Sequence, residues 1–374
     1  MLKRLYVNNF RTLINTEMSF GAINLLLGPN GSGKSAIFDV LFKLRDFVTR
    51  DGRVPDLFPL SDFTCWQDFT APVQNFELEL EGNGGLYLYK LTIEYIPEKG
   101  LARMGSESLS FNHRPLFEFS SETGNAQLYG DTCEKGPEYP ADWSRSGIGS
   151  LMERHDNKKL TWFKKRLENS FVIRLNPALM DAESRGEVTA PAPDLSDFAS
   201  WFRYLSQERQ GRVFKLTEKL RNDLEGFDSF KLETAGRAKI FSAGFRNLHG
   251  SINLFKLNDL SDGQRALIAL YTLLYCLPEE ECSLCIDEPE NFLALPEIQP
   301  WLDILDHQTQ NGQAQAILIS HHPKIINFLA NDAGFWIDRE GIGGPARIRR
   351  IRSDEQEIGL PISELVERGW IFDA

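Results

Sequence analysis

The sequence predicts an α/β fold with a β-rich N-terminal lobe and an inserted helical lobe, and three observations carry that expectation. The apolar run Ile23 to Leu27 empties into a glycine-rich loop, and a helical pattern follows from about Ser35 to Phe47. Two later apolar runs, 284–286 and 316–320, alternate with helical stretches at about 297–310 and after Pro323. Between Phe76 and Phe119 the period changes to two, and FELELE, GNGG and LYLYKLTIEYI read as a hairpin with alternating faces.

The remaining elements follow in order. Leu2 to Phe10 reads as a strand, and 120–150, rich in Gly, Ser, Pro and Asp, as irregular loop. From Leu151 to Leu224 the pattern is mostly helical, broken by a Pro/Ala/Gly stretch around 186–193, with Asp194 or Ser196 as cap of the last long helix. Lys231 to Leu257 returns to short strands. A helix after Ser261 stops at Pro278, Gly334 to Ile351 reads as a glycine-turned hairpin, and a short helix closes the chain near Ser363. No internal repeat and no heptad run is present. The expected organisation is one domain over 1–374. It divides into an N-terminal lobe at 1–150, a helical insertion at 151–230 and a C-terminal lobe at 231–374.

Composition narrows the function classes. Hydrophobic residues make up 42% and charged residues 25%, as in an ordinary globular protein. A net charge of −12 argues against a surface that wraps nucleic acid as a whole, though local basic runs exist at 154–166 and 347–352. No apolar run approaches the roughly 18 residues of a membrane span. The first ten residues lack a signal-peptide core. Five cysteines, odd in number and unevenly spread, fit a reducing cytoplasm, and Cys282 and Cys285 flank a buried run with no second ligand pair nearby. The six histidines show no paired metal spacing, and no nuclease constellation is present.

Two motifs carry chemistry. Gly28-Pro-Asn-Gly-Ser-Gly33-Lys34-Ser35 fits G-x-x-x-x-G-K-[ST] between a strand and a helix. There the backbone N–H groups across Asn30, Gly31, Ser32, Gly33 and Ala36 can close on phosphate oxygens at a helix N-terminus. Lys34 would reach the β- and γ-phosphates of ATP, and Ser35 would ligate Mg²⁺. Downstream, Ile286 runs into Asp287 and Glu288. The first carboxylate is placed for Mg²⁺ and the second to polarise an attacking water. A third run ends in His321-His322-Pro323, where a histidine could sense the γ-phosphate.

Leu260-Ser261-Asp262-Gly263-Gln264 opens an apolar helix that Ser261 would cap. It resembles the LSGGQ signature of ABC-type ATPases, with Asp262 in place of the first glycine. The resemblance implies an ABC-type P-loop NTPase head. Ser261, Gly263 and Gln264 would then complete the nucleotide site of a second copy in an ATP-dependent head-to-tail dimer. Asn9-Phe10-Arg11-Thr12-Leu13 is similar to the N-terminal element of RecF/SMC-type heads, which assigns Arg11 to the nucleotide. IDEPEN at 286–291 and ISHHP at 319–323 are similar to elements of the same group. Together they resemble the predicted ATPases that accompany phage-defence systems, which implies ATP hydrolysis and a separately encoded effector.

Alternatives are a RecF-like DNA-binding recombination or repair ATPase, with nucleic acid on the basic runs, and an ATP-dependent scaffold with little turnover. A transporter ATPase fits less well, because such subunits place fewer residues between lysine and signature. By alignment the switch histidine is His321, with His322 where the group has serine. The segment from Asn291 to Pro296 lacks the group's histidine. The glutamine that links the lobes and reaches the metal falls on Gln67, with Gln74 behind it. The aromatic stretch Phe198 to Tyr204 and the helical lobe are candidates for relaying nucleotide state.

Overall fold

The computed structural model describes residues 1–64, 72–276, 278, 282–294, 296–341, 344–351 and 360–369. β1 (Leu2–Asn8) and β2 (Thr16–Ser19) precede β3 (Ile23–Leu27), which runs into α1 (Lys34–Thr49). After the single turn of α2 (Val54–Leu57) come β4 (Val73–Gly82), β5 (Gly85–Ile96), β6 (Leu101–Phe111) and β7 (Arg114–Ser120). The chain continues through β8 (Asn125–Leu128), β9 (Glu138–Pro140), α3 (Gly147–Ser150) and α4 (Lys158–Glu168) into β10 (Ser170–Ile173) and β11 (Glu183–Ser184). Helices α5 (Phe198–Glu208) and α6 (Gln210–Asp223) lead to β12 (Phe227–Ala235), β13 (Ala238–Arg246) and β14 (Ile252–Lys256). The last third alternates: α7 (Asp262–Tyr275), β15 (Cys282–Asp287), α8 (Ile298–Gln310), β16 (Ala314–Ile319), α9 (Pro323–Ala333), β17 (Gly334–Arg339), β18 (Ala346–Arg350) and α10 (Ile362–Glu367).

Eight strands form an antiparallel sheet in the order β2-β1-β4-β5-β6-β7-β8-β9. Its register follows from period two: Phe76, Leu78 and Leu80 are buried, while the alternating Glu77, Glu79 and Glu81 face away and salt-bridge Arg4, Lys90 and Lys3. Asn83 and Gly84 both take positive φ, the conformation of a tight two-residue hairpin, and close β4 onto β5.

The central sheet runs β10-β15-β16-β3-β17-β18, parallel except for β18 at its edge. Covered on both faces, its strands are nearly continuous apolar runs, as parallel strands require. Leu25, Leu284, Ile286 and Leu318 pack into one core with α7, α8 and α9. Leu26, Cys285, Ile317 and Ile319 pack into a second with α1 and the antiparallel sheet. Gln315 joins the two sheets: its buried amide donates to the Leu2 carbonyl at 2.7 Å and accepts from the Leu2 N–H at 2.8 Å.

Several expectations change. Residues 170–173, within the stretch expected to be helical, form the edge strand β10 beside β15. The stretch 120–150, expected to be irregular, contributes β8 and β9 to the large sheet. The long helix before 224 is two helices, and its start is at Asp197, not at Asp194 or Ser196. Asp194 instead accepts from the Ser196 N–H, and Asp197 from the Ala192 N–H. Phe198, Trp201 and Phe202 are buried, and Phe198 and Phe202 lie against Phe241 of β13, so these three rings are core between α5 and the third sheet. Among the described residues no helix is long and apolar enough to cross a membrane.

Candidate functional site

The carboxyl ends of β3, β15 and β16 bring the motifs together, the usual place for a ligand in a parallel sheet. They border a cleft of about 260 Å³ lined by Arg11, Thr12, Asn30, Gly31, Gly33, Lys34, Ser35, Ala36, Asp287, Glu288, Ile319 and His321. Ser32 lies beneath the loop, almost fully buried.

The loop can take its course only with glycine at two points. A Cβ on Gly28 would stand 1.9 Å from the Ile337 carbonyl oxygen, and one on Gly33 would stand 2.6 Å from Thr12 Oγ1. Gly33 is the N-cap of α1, which has no side-chain cap and no acid in its first turn. The positive end of this sixteen-residue helix faces the cleft with no acid in its own first turn, and the carboxylates near it are Asp287 and Glu288 across the cleft. Lys34 folds back over the loop, donating to the Gly28 carbonyl at 2.6 Å and the Pro29 carbonyl at 2.9 Å. Burial holds its ammonium below the usual lysine range, against the pull of Asp287 and Glu288.

Ser35 Oγ donates to Asp287 Oδ2 at 3.3 Å. Burial raises the Asp287 carboxyl above the ordinary aspartate range, with Arg174 opposing and Glu288 adding to the rise. A hydroxyl and a carboxylate are hard oxygen donors, and their separation is near the roughly 3 Å edge of an octahedron with 2.0–2.1 Å bonds, which fits Mg²⁺. Among the described residues no group of three His, Cys, Asp or Glu side chains could hold a metal alone.

Glu288 takes φ +51°, a strained conformation for a non-glycine residue, fixed by its N–H on the Ile319 carbonyl at 2.8 Å. Its carboxylate accepts from Asn291 Nδ2 at 2.7 Å. The two histidines separate. His321 lines the cleft, whereas His322 caps α9, its Nδ1 accepting from the Lys324 N–H at 3.1 Å. Glu290 steadies this corner: its buried carboxylate accepts from Ser320 Oγ at 2.7 Å and the His321 N–H at 3.0 Å.

Arg11 also lines the cleft, held by Asp62 at 2.7 Å and by Asp39. The signature stands apart from these residues. Ser261 Oγ accepts from the Gln264 N–H at 3.3 Å, and the Gln264 side chain accepts from the Ser261 N–H at 3.1 Å, a complete capping box. Gly263 is needed for proximity: a Cβ there would lie 2.8 Å from the Phe292 carbonyl oxygen. Neither Ser261, Gly263 nor Gln264 lines the cleft of its own chain.

The glutamine expected to link the lobes was Gln67, with Gln74 behind it. Gln67 lies outside the described residues. Gln74 is fully buried and donates to the backbone carbonyls of Asn9 and Asp62, so it braces the Arg11 loop and does not line the cleft. Sequence reasoning missed Arg174, which follows β10 and reaches the Ser35 carbonyl at 3.1 Å, Asp39 at 2.7 Å and Asp287 at 3.5 Å. Its signal was available: an apolar run, Phe171 to Ile173, ending in a charge, the pattern that marked Ile286 and Asp287. Cys282 and Cys285 are buried, and burial pushes both thiols up to about 12, which leaves them inert.

The family described as "AAA domain, putative AbiEii toxin, Type IV TA system" matches residues 23–327. Among solved structures, the chain is similar to the SMC head domain from Thermotoga maritima, with 17% identity, 94% of this chain and 99% of that chain covered, and a TM-score of 0.48. It is also similar to an SmcHead bound to the C-winged helix domain of ScpA, with 12% identity, 95% and 99% covered, and a TM-score of 0.53. At such identities the likeness concerns the fold alone, and the second carries it: an α/β fold like that of an SMC head. No curated protein matches.

Proposed function

Because this chain belongs to the AAA-domain family described as "AAA domain, putative AbiEii toxin, Type IV TA system", we propose that it is an ATP-hydrolysing switch that works as a head-to-tail dimer on a separately encoded effector, in a defence-type system. One observation carries the reading: Lys34, Ser35, Asp287, Glu288 and His321, from three strand ends, border one cleft, while the signature of the same chain lies outside it. The family's description names a toxin of a toxin–antitoxin system, which supports a chain that acts with a second component.

In this reading the three parts, 1–150, 151–230 and 231–374, make one ATPase domain. Lys34 leaves the Gly28 and Pro29 carbonyls for the β- and γ-phosphates, and Ser35 and Asp287 would hold Mg²⁺, which would supply neutralising charge to the phosphates. Glu288 orients a water on the γ-phosphorus and takes its proton as the bond to ADP breaks, yielding ADP and inorganic phosphate. His321 faces the phosphate that leaves. The second copy's Ser261 end supplies the other wall, so the interface closes on ATP and loosens after hydrolysis, a two-state element that nucleotide biases.

Nucleic acid is not part of this reading, because the two basic runs are largely engaged within the chain. Lys164 donates to the Gly149 and Leu151 carbonyls, Lys165 pairs with Glu153, and Arg166 donates to Ser283. Arg347 and Arg349 both pair with Asp338. The test is co-expression with the neighbouring gene of its operon and challenge with phage, comparing wild type with Ser261→Arg. Ser261→Arg blocks the proposed interface without entering the chain's own cleft. Protection and complex formation that survive it would overturn the switch.

A further inference from the structure

We propose that Arg174 is a stand-in cation: in the nucleotide-free chain its guanidinium balances Asp287 at the metal corner, and Mg²⁺ binding with nucleotide expels it. The proposal rests on the reading of Ser35 and Asp287 as the Mg²⁺ ligands.

The oxygen that receives the Ser35 hydroxyl, Asp287 Oδ2, is also the oxygen that faces Arg174 Nε at 3.5 Å. The same guanidinium donates to the Ser35 carbonyl at 3.1 Å. Arg174 thus touches both residues of the proposed metal pair, from the side of β10. The charges around it are Asp39, Asp287 and Glu288 against Lys34, Arg11 and Arg174 itself. A divalent ion on Asp287 would add two positive charges beside a guanidinium that cannot lose its own. Repulsion between like charges at contact range is strong wherever water screens weakly. Arg174 is the cation that can yield, because Asp39 and the Ser35 carbonyl already hold its guanidinium independently of Asp287.

The local structure permits that movement. The Arg174 side chain is 41% exposed, so solvent is open to it. Its backbone is fixed, the N–H donating to the Pro193 carbonyl at 2.7 Å. Its shortest side-chain bond is to Asp39, while the contact with Asp287 is the longest of the three. Asp39 is itself gripped by Arg11 and lies in the second turn of α1. The guanidinium can consequently pivot on Asp39, releasing Asp287 to metal without unfastening β10 from α1. A residue whose only task was to staple β10 to α1 would need Asp39 alone.

The test measures binding, not turnover. A fluorescent ATP analogue is titrated into wild type and Arg174→Gln over a series of Mg²⁺ concentrations, with thermal unfolding as the folding control. Removing the competing cation should lower the Mg²⁺ concentration for half-maximal binding by about tenfold, a typical coupling between sites. An unchanged or raised Mg²⁺ requirement overturns the proposal and leaves the nucleotide reading standing. A wild type that binds no analogue sinks both. Should Arg174→Gln not fold, labelling of the Arg174 guanidinium by phenylglyoxal, read by mass spectrometry on the wild-type protein, decides. Labelling should rise with ATP and Mg²⁺ and stay flat with ATP in a chelator, and equal behaviour in the two conditions refutes the displacement.

Discussion

The phosphate loop and the signature loop both open a helix with glycine nearby, yet the chain finishes one and leaves the other incomplete. Gly28 to Ser35 is anchored from beneath: Gly28, Ser32 and Lys34 are buried, with Ile337 and Thr12 against the loop, while Pro29, Asn30, Gly31 and Ser35 stay exposed. Ser261 and Asp262 are exposed and Gly263 and Gln264 half-buried, and the stretch satisfies its own helix end through the capping box. Residues from three strand ends surround the first loop, so it can frame a ligand within one chain. The second loop is satisfied internally by its capping box, which in the proposed dimer would keep it from collapsing onto its own chain.

The comparison breaks first at Lys34. Lys34→Ala should weaken ATP binding by roughly a thousandfold, since it removes the only lysine that lines the cleft among the described residues. Equilibrium binding of a labelled nucleotide to the folded variant checks it, and unchanged affinity would mean the cleft is not the site. Glu288→Gln should keep binding but lower turnover at least about 100-fold. It should also collect an ATP-bound dimer, visible by size-exclusion chromatography with light scattering.

Ser261→Arg sharpens the contrast. Affinity for nucleotide should stay within about twofold, dimer should vanish, and loss of the cap should cost about 1 kcal/mol in denaturant unfolding. A dimer that persists would remove the second loop from the interface. The smallest effect belongs to Asp287→Asn in the nucleotide-free protein. Burial raises the Asp287 carboxyl, so the folded state holds that proton more tightly than the unfolded chain. The stability it contributes is complete below the ordinary aspartate pKa and is lost as pH rises through the raised folded value. Asp287→Asn should therefore raise the unfolding midpoint at neutral pH by roughly 2 °C. The difference should fade as pH falls below 4, and calorimetry across that range reads it.

The same contrast separates what was legible in the sequence from what was not. β3, α1, β15 and α7 were readable because local pattern sets them: apolar runs, glycines at fixed offsets and a capping serine. β10 was not. Four residues are too few to show a period, and the helix before them extended its pattern across them. With β10 went Arg174, whose partners Ser35, Asp39 and Asp287 are far away in sequence. Gln74 stood behind Gln67 as a candidate for the glutamine that links the lobes. Its place on β4, turned inward to Asn9 and Asp62, depends on register, which no single stretch reveals. His321 was singled out over His322 by the resemblance alone, and in the structure His321 lines the cleft while His322 begins α9.

The capping box also settles what the Ser261 hydroxyl can offer. Its oxygen spends a lone pair on the Gln264 N–H, while its proton remains available. The group can therefore cap its own helix and donate outward at once, and the inward bond polarises the outward one. A group that takes this proton must bring an acceptor, as a phosphate oxygen does. An aspartate at 261 would cap the helix as well as serine does. It would carry no proton to give at neutral pH and would turn the same surface against any anion.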